Sequence, residues 1–90
     1  MHTAREKTKL LARVRRIRGQ VEAIERALEA ETGCAEVLQL VAAARGATNG
    51  LMAELIEDHI REHVISPERS KDERDAAADE LVDVVRAYLK

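Results

Sequence analysis

Residues 34–63 read CAEVLQLVAAARGATNGLMAELIEDHIREH, thirty residues without a proline. Val37, Val41, Ala44, Leu51, Leu55 and Ile56 recur every three or four places within one broad stripe, which predicts a single long amphipathic helix. At about 100° per residue, His59 falls about 20° to one side of Cys34 around that helix and His63 about 20° to the other. The only cysteine and two of the three histidines therefore share a stripe. At about 1.5 Å rise per residue, however, Cys34 and His59 are separated by roughly 37 Å along the axis. They cannot meet within one molecule. If two copies of the helix pack antiparallel, Cys34 of one copy comes alongside His59 and His63 of the other.

Working outward, the N-terminal side carries a second periodic stretch. Thr3-Ala4-Arg5-Glu6 has the form of a capping box. Leu10, Val14, Ile17, Val21, Ile24 and Leu28 then alternate by four and three, an a/d seam that packing alone explains. Glu31-Thr32-Gly33 is the one break before the next helix; Gly33 relaxes the backbone and Thr32 is the expected cap. So short a loop folds the two helices back as an αα-hairpin. It carries the N-terminus, with His2, towards the end of the second helix that bears His59 and His63.

On the C-terminal side, Ser66-Pro67 is expected to end the second helix. Ser70-Lys71-Asp72-Glu73 opens a third as another capping box, and Ala77, Leu81, Val84 and Tyr88 form its stripe. The reading is all-α: two long antiparallel helices and a short C-terminal helix, one domain over residues 1–90. With a single Tyr and no Phe or Trp, the interior is built from Leu, Val, Ile and Ala. A chain of ninety residues has only a modest core of its own, so self-association is the expected route to stability.

Charge is unevenly spread. Residues 1–18 hold Arg5, Lys7, Lys9, Arg13, Arg15, Arg16 and Arg18 against Glu6 alone, a net +6 that leaves −8 for the rest of a chain totalling −2. A basic arm on an acidic body suggests a polyanionic partner. Arg5, Lys9, Arg13 and Arg16 project largely away from the seam, where a duplex can reach them. A metal-carrier protein without DNA binding belongs to a different class, and it has no use for such an arm. One cysteine excludes an internal disulfide, and neither a signal peptide nor an apolar run of about 18 residues is present. A cytoplasmic protein without membrane attachment is expected.

A thiolate with two or three imidazoles is a borderline-soft ligand set that suits Ni(II), Co(II), Zn(II) or Cu over Mg or Ca. His2, Cys34, His59 and His63 are the candidate ligands, with the Met1 amine as an addition that brings the number to five. Nickel and cobalt accept that number, whereas structural zinc seldom does. A site built from two chains biases how they pack, which is what a sensor requires. Catalysis finds no support. Asp58-His59 and Glu62-His63 are adjacent pairs expected to point apart, the Glu of HIREH stands in the wrong place for a zincin, and no glycine-rich phosphate loop occurs.

The run RVRRIRGQVEAIERALE, the single Cys34, then ARGATNGLMAELIEDHIREH and the closing VRAYLK resemble the small all-helical bacterial repressors of the CsoR type. The nickel/cobalt-sensing (RcnR) and formaldehyde-sensing (FrmR) branches are the nearest in pattern. The resemblance covers most of the chain and is weakest at residues 65–80. It implies an antiparallel dimer forming a helical bundle, and a dimer of dimers. That homotetramer represses a promoter by binding double-stranded operator DNA and lets go when its effector binds. By position it implies Arg13, Arg16 and Arg45 as DNA contacts. His2, Cys34, His59 and His63 match the nickel/cobalt pattern, while His63 stands where copper sensors have a second Cys. RVRRIRG and RAYLK lean towards the formaldehyde branch, in which Cys34 and the N-terminal amine are the reacting groups. The ligand set favours Ni or Co as effector, with zinc as a further candidate.

Overall fold

The computed structural model describes residues 4–89. These form three α-helices: α1 (Ala4–Glu29), α2 (Cys34–His59) and α3 (Lys71–Tyr88), with a π-turn over Ile60–Val64 between the last two. No strand occurs among the described residues. The chain divides into two compact units, Met1–Met52 and Ala53–Lys90. The expected Thr3–Glu6 box, His2 and Met1 involve positions outside the described residues.

The first unit contains the hairpin. α1 ends in a Schellman turn, in which Thr32 N–H donates to the Ala27 carbonyl (2.9 Å) and Glu31 N–H to that of Leu28 (3.1 Å). The left-handed residue of this turn is Glu31, at φ 54°, and not Gly33. Gly33 instead supplies the carbonyl that accepts from Glu36 N–H (3.1 Å) and Val37 N–H (3.2 Å), so it caps α2 in the place assigned to Thr32. Four residues between helices then bring α1 and α2 side by side, antiparallel, with Arg13 opposite Gly50.

The a/d seam of α1 splits between two tasks. Leu10 is buried at 8% exposure, and Ile17 and Ile24 are half-buried. Val14, Val21 and Leu28 are 45%, 53% and 60% exposed. One row of the seam faces the hairpin partner, and the other row lies open. The sequence pattern treats both rows alike because a heptad does not say how many neighbours it serves.

In the second unit α2 does not run regularly to Pro67. After His59 the backbone widens, and Ile65 N–H bonds the Ile60 carbonyl five residues back at 2.9 Å. α3 opens as expected: Glu73 N–H donates to Ser70 Oγ and Ser70 N–H to Glu73 Oε1, both at 3.1 Å. Its covered face is set by Ala77, which is buried, and by half-buried Leu81 and Val85. The expected Val84 and Tyr88 are exposed, because four-residue steps from Ala77 lead to 85 and not to 84.

Candidate functional site

Two places concentrate the residues singled out above, one in each unit. In the first, α1 and α2 border a groove of about 590 Å³. Lys9, Arg13, Arg16 and Gln20 stand along its α1 side, and Gly46 and Ala47 belong to its α2 side. The spacing of those α1 residues (4, 3 and 4) keeps them on one helical face beside the seam. Arg13 and Arg16 thus come together as expected, while Arg45, which is exposed, is not among the lining residues. Lys9, already placed where a duplex can reach it, belongs to the groove as well, and so does Gln20, which carried no site assignment. Gln20 Oε1 is buried with no hydrogen-bond partner among the described residues.

The two glycines of α2 differ. A Cβ added at Gly46 meets nothing within 4 Å, so the hairpin does not need glycine there for close approach. A Cβ at Gly50 meets Arg13 Nη1 at 3.2 Å.

In the second unit, the last residue of α2 and the π-turn bring His59 and His63 together. Their ring centroids lie 5.2 Å apart, with the planes tilted by 48°. His59 Nε2 is 2.9 Å from the Ala77 carbonyl oxygen. A carbonyl only accepts, so Nε2 carries the proton and the lone pair of the neutral ring sits on Nδ1. A backbone carbonyl on one ring nitrogen is the usual device for aiming the other at a metal. His63 Nε2 lies 3.8 Å from Glu62 Oε2, so this adjacent pair does not point apart: the π-turn departs from the 100° step on which that expectation rested. Glu73, Ala77 and Glu80 of α3 line a cavity of about 370 Å³ with the two histidines. Their spacing of four and three marks one face of α3, a signal present in the sequence and not used.

Two imidazoles, one already held in the tautomer that frees Nδ1, fit a borderline transition metal ion. Among the described residues no cluster of three or more His, Cys, Asp or Glu side chains is complete enough to hold an ion. Cys34 is exposed at the first position of α2, in the first unit, and carries no disulfide. His2 lies outside the described residues. The second unit brings together His59 and His63.

A protein of Serratia marcescens, known only as an uncharacterised protein in the bioA 5′ region, is 52% identical over 89 residues, spanning 99% of this chain and 98% of that one. The transcriptional repressor RcnR of Salmonella paratyphi B is 43% identical over 89 residues, with the same coverage. Among solved structures, a glutamate-to-histidine variant of the formaldehyde-responsive regulator FrmR from Salmonella enterica serovar Typhimurium superposes with a TM-score of 0.91. It is 49% identical and covers 98% of this chain and 99% of its own. The copper-sensing repressor CsoR with Cu(I) from Geobacillus thermodenitrificans also gives 0.91, at 26% identity, covering 100% of this chain and 93% of its own. No described helix is long and apolar enough to cross a membrane. With residues 6–87 matching the family description as well, the chain belongs to the metal-sensitive transcriptional repressors, a family of regulators and not of enzymes.

Proposed function

We propose that residues 1–90 form one repressor domain that binds operator DNA and is released when Ni(II) or Co(II) occupies a site shared between subunits. The ligands are His59 and His63 of one chain, with His2 and the Met1 amine in addition, and Cys34 of a neighbouring chain. The observation that carries this reading is the His59–His63 pair, 5.2 Å between centroids, with Nδ1 of His59 left open by the bond to Ala77. An all-nitrogen pair completed by one thiolate is a poorer match to Cu(I), which favours more sulfur. The open row Val14, Val21 and Leu28 supports the self-association that a shared site demands. We assign the DNA-facing surface to Arg13 and Arg16, on the strength of the basic groove and the charge of residues 1–18, and to Arg45, which is exposed, by its position in the family pattern alone.

The bound metal supplies a Lewis-acidic anchor between chains; the protein supplies the orientation of its ligands and the coupling to DNA. Fastening that corner shifts the assembly towards a packing whose basic surfaces no longer match the duplex. About 1–3 kcal/mol of coupling is typical of such linkage.

A second reading is favoured by the 49% identity to the formaldehyde-responsive regulator. There, formaldehyde condenses with the Cys34 thiol of one chain and the Met1 amine of another. A S–CH₂–N bridge forms and one water leaves, with no change of oxidation state. DNA release measured with Ni, Co, Zn, Cu(I) and formaldehyde side by side separates the two. Replacing His59 and His63 together by alanine abolishes release by metal and leaves any release by formaldehyde. Cys34→Ala removes both. Release by metal that survives loss of both imidazoles eliminates the metal site assigned here.

A further inference from the structure

The contact between Gly50 and Arg13 is unlike that at any other glycine of the chain. Carbon added at Gly19, Gly33 or Gly46 meets nothing within 4 Å, whereas at Gly50 it lies 3.2 Å from Arg13 Nη1. Ordinary contact between non-bonded heavy atoms is nearer 3.5–4.0 Å. A methyl group at position 50 therefore displaces the guanidinium by a few tenths of an ångström. Glycine is an unfavourable residue in the middle of a helix. At Gly46 nothing in the chain explains it. At Gly50 the bare backbone gives the Arg13 fork a place to rest beside the groove that Lys9 and Arg16 share.

We infer that Gly50 is a positioning residue for Arg13, setting the height at which the guanidinium meets a duplex phosphate. This rests on the reading of Arg13 as a DNA contact. A planar fork binding two phosphate oxygens is sensitive to a small displacement, whereas a lysine ammonium on a flexible stem is not. The position-50 effect therefore belongs to arginine at position 13.

The test uses the full chain and a labelled DNA duplex, with affinity measured by fluorescence anisotropy across a range of salt concentrations. Gly19→Ala serves as the control, since it makes the same change of residue in the middle of a helix, meets nothing within 4 Å and does not line the groove. Gly19→Ala binds as the unaltered protein does. Gly50→Ala binds roughly threefold or more weakly, with a salt slope shallower by up to about one. Both unfold at or above the temperature of the unaltered protein, which separates the effect from misfolding. In Arg13→Ala and Arg13→Lys backgrounds the further change Gly50→Ala has no effect. Equal affinities for Gly50→Ala and Gly19→Ala, or a loss that persists without Arg13, overturn the inference alone. If Arg13→Ala leaves both affinity and salt slope unchanged, the DNA-contact reading of Arg13 falls first and takes this role of Gly50 with it.

Discussion

His59 donates its Nε2–H to the carbonyl oxygen of Ala77 across 2.9 Å, so the third helix decides which ring nitrogen of the second is left open. The partner is backbone, and side-chain substitution at position 77 does not remove it. The expected state of the metal-free protein is the Nε2–H tautomer at His59, and nitrogen-detected NMR of the imidazole rings reads it directly. On adding Ni(II) or Co(II), the signal of Nδ1 is the one perturbed. Finding the proton on Nδ1 in the metal-free protein contradicts the assignment.

Lys9 stands with Arg13 and Arg16 along the α1 side of one groove. If that groove follows a phosphate backbone, each cation released from it costs about one unit of the slope of log K against log salt. Lys9→Ala is therefore expected to weaken binding at low salt and flatten the slope by about one, as Arg13→Ala and Arg16→Ala each do. The loss is uniform across DNA sequences, since a phosphate contact carries no base information. A slope unchanged by Lys9→Ala removes that residue from the interface.

What the residue pattern disclosed, and what it concealed, follows from range. The helices and the Ser70–Glu73 box are local, written in periodicity and in a four-residue motif, and both are present. The π-turn is equally short but has no signature: Ile60–Val64 continues a regular helical pattern, and the turn packs against α3. Gly33 is the glycine expected to relax the backbone at this break, yet the Schellman geometry puts Glu31, and not Gly33, in the left-handed region. The His59–His63 pair was legible as an i,i+4 spacing, while the Ala77 carbonyl was not, because every residue has one. The phase match of Cys34 with those histidines is legible in the sequence too, and that a second copy completes the set belongs to the proposed function.

The open row of the α1 seam makes a direct statement about assembly. Val21 is 53% exposed in the middle of that row, flanked by Val14 and Leu28 one heptad away on either side. If the row is covered by another copy, a carboxylate at its centre is buried without a partner, and the subunits separate before the hairpin unfolds. Sedimentation of Val21→Asp is expected to give a smaller species than the unaltered chain at the same concentration, with helical circular dichroism retained. An unchanged sedimentation coefficient shows that this row is not the interface.

Glu31 offers a test of the hairpin turn itself. A side chain in the left-handed region costs roughly 1–2 kcal/mol, part of which glycine returns through its greater freedom when unfolded. At φ 54° and exposed, Glu31 makes no buried contact that a replacement sacrifices. Glu31→Gly is expected to stabilise the fold by about 0.5–1 kcal/mol, seen as a rise of about 2–8 °C in Tm at fixed protein concentration. A lower Tm for Glu31→Gly counts against the turn described here.

Ser70 and Glu73 close the start of α3 in both directions, side chain to backbone N–H each way at 3.1 Å. Ser70→Ala removes the hydroxyl acceptor and is expected to cost about 1 kcal/mol at neutral pH. The Glu73 carboxyl is held below its ordinary range, first by the Ser70 backbone N–H, next by the Ser70 hydroxyl, and less by nearby Arg69. Because the folded protein depresses this pKa, the ionised carboxylate stabilises the helix fully above the ordinary glutamate range, and that contribution is lost as pH falls through the lower folded value. Glu73→Gln, which has no charge to lose, is expected to be less stable than the unaltered chain at neutral pH and to converge with it on acidification. Urea midpoints measured from neutral pH into the acid range read the convergence. A difference that stays constant with pH means that ionised Glu73 does not hold the cap.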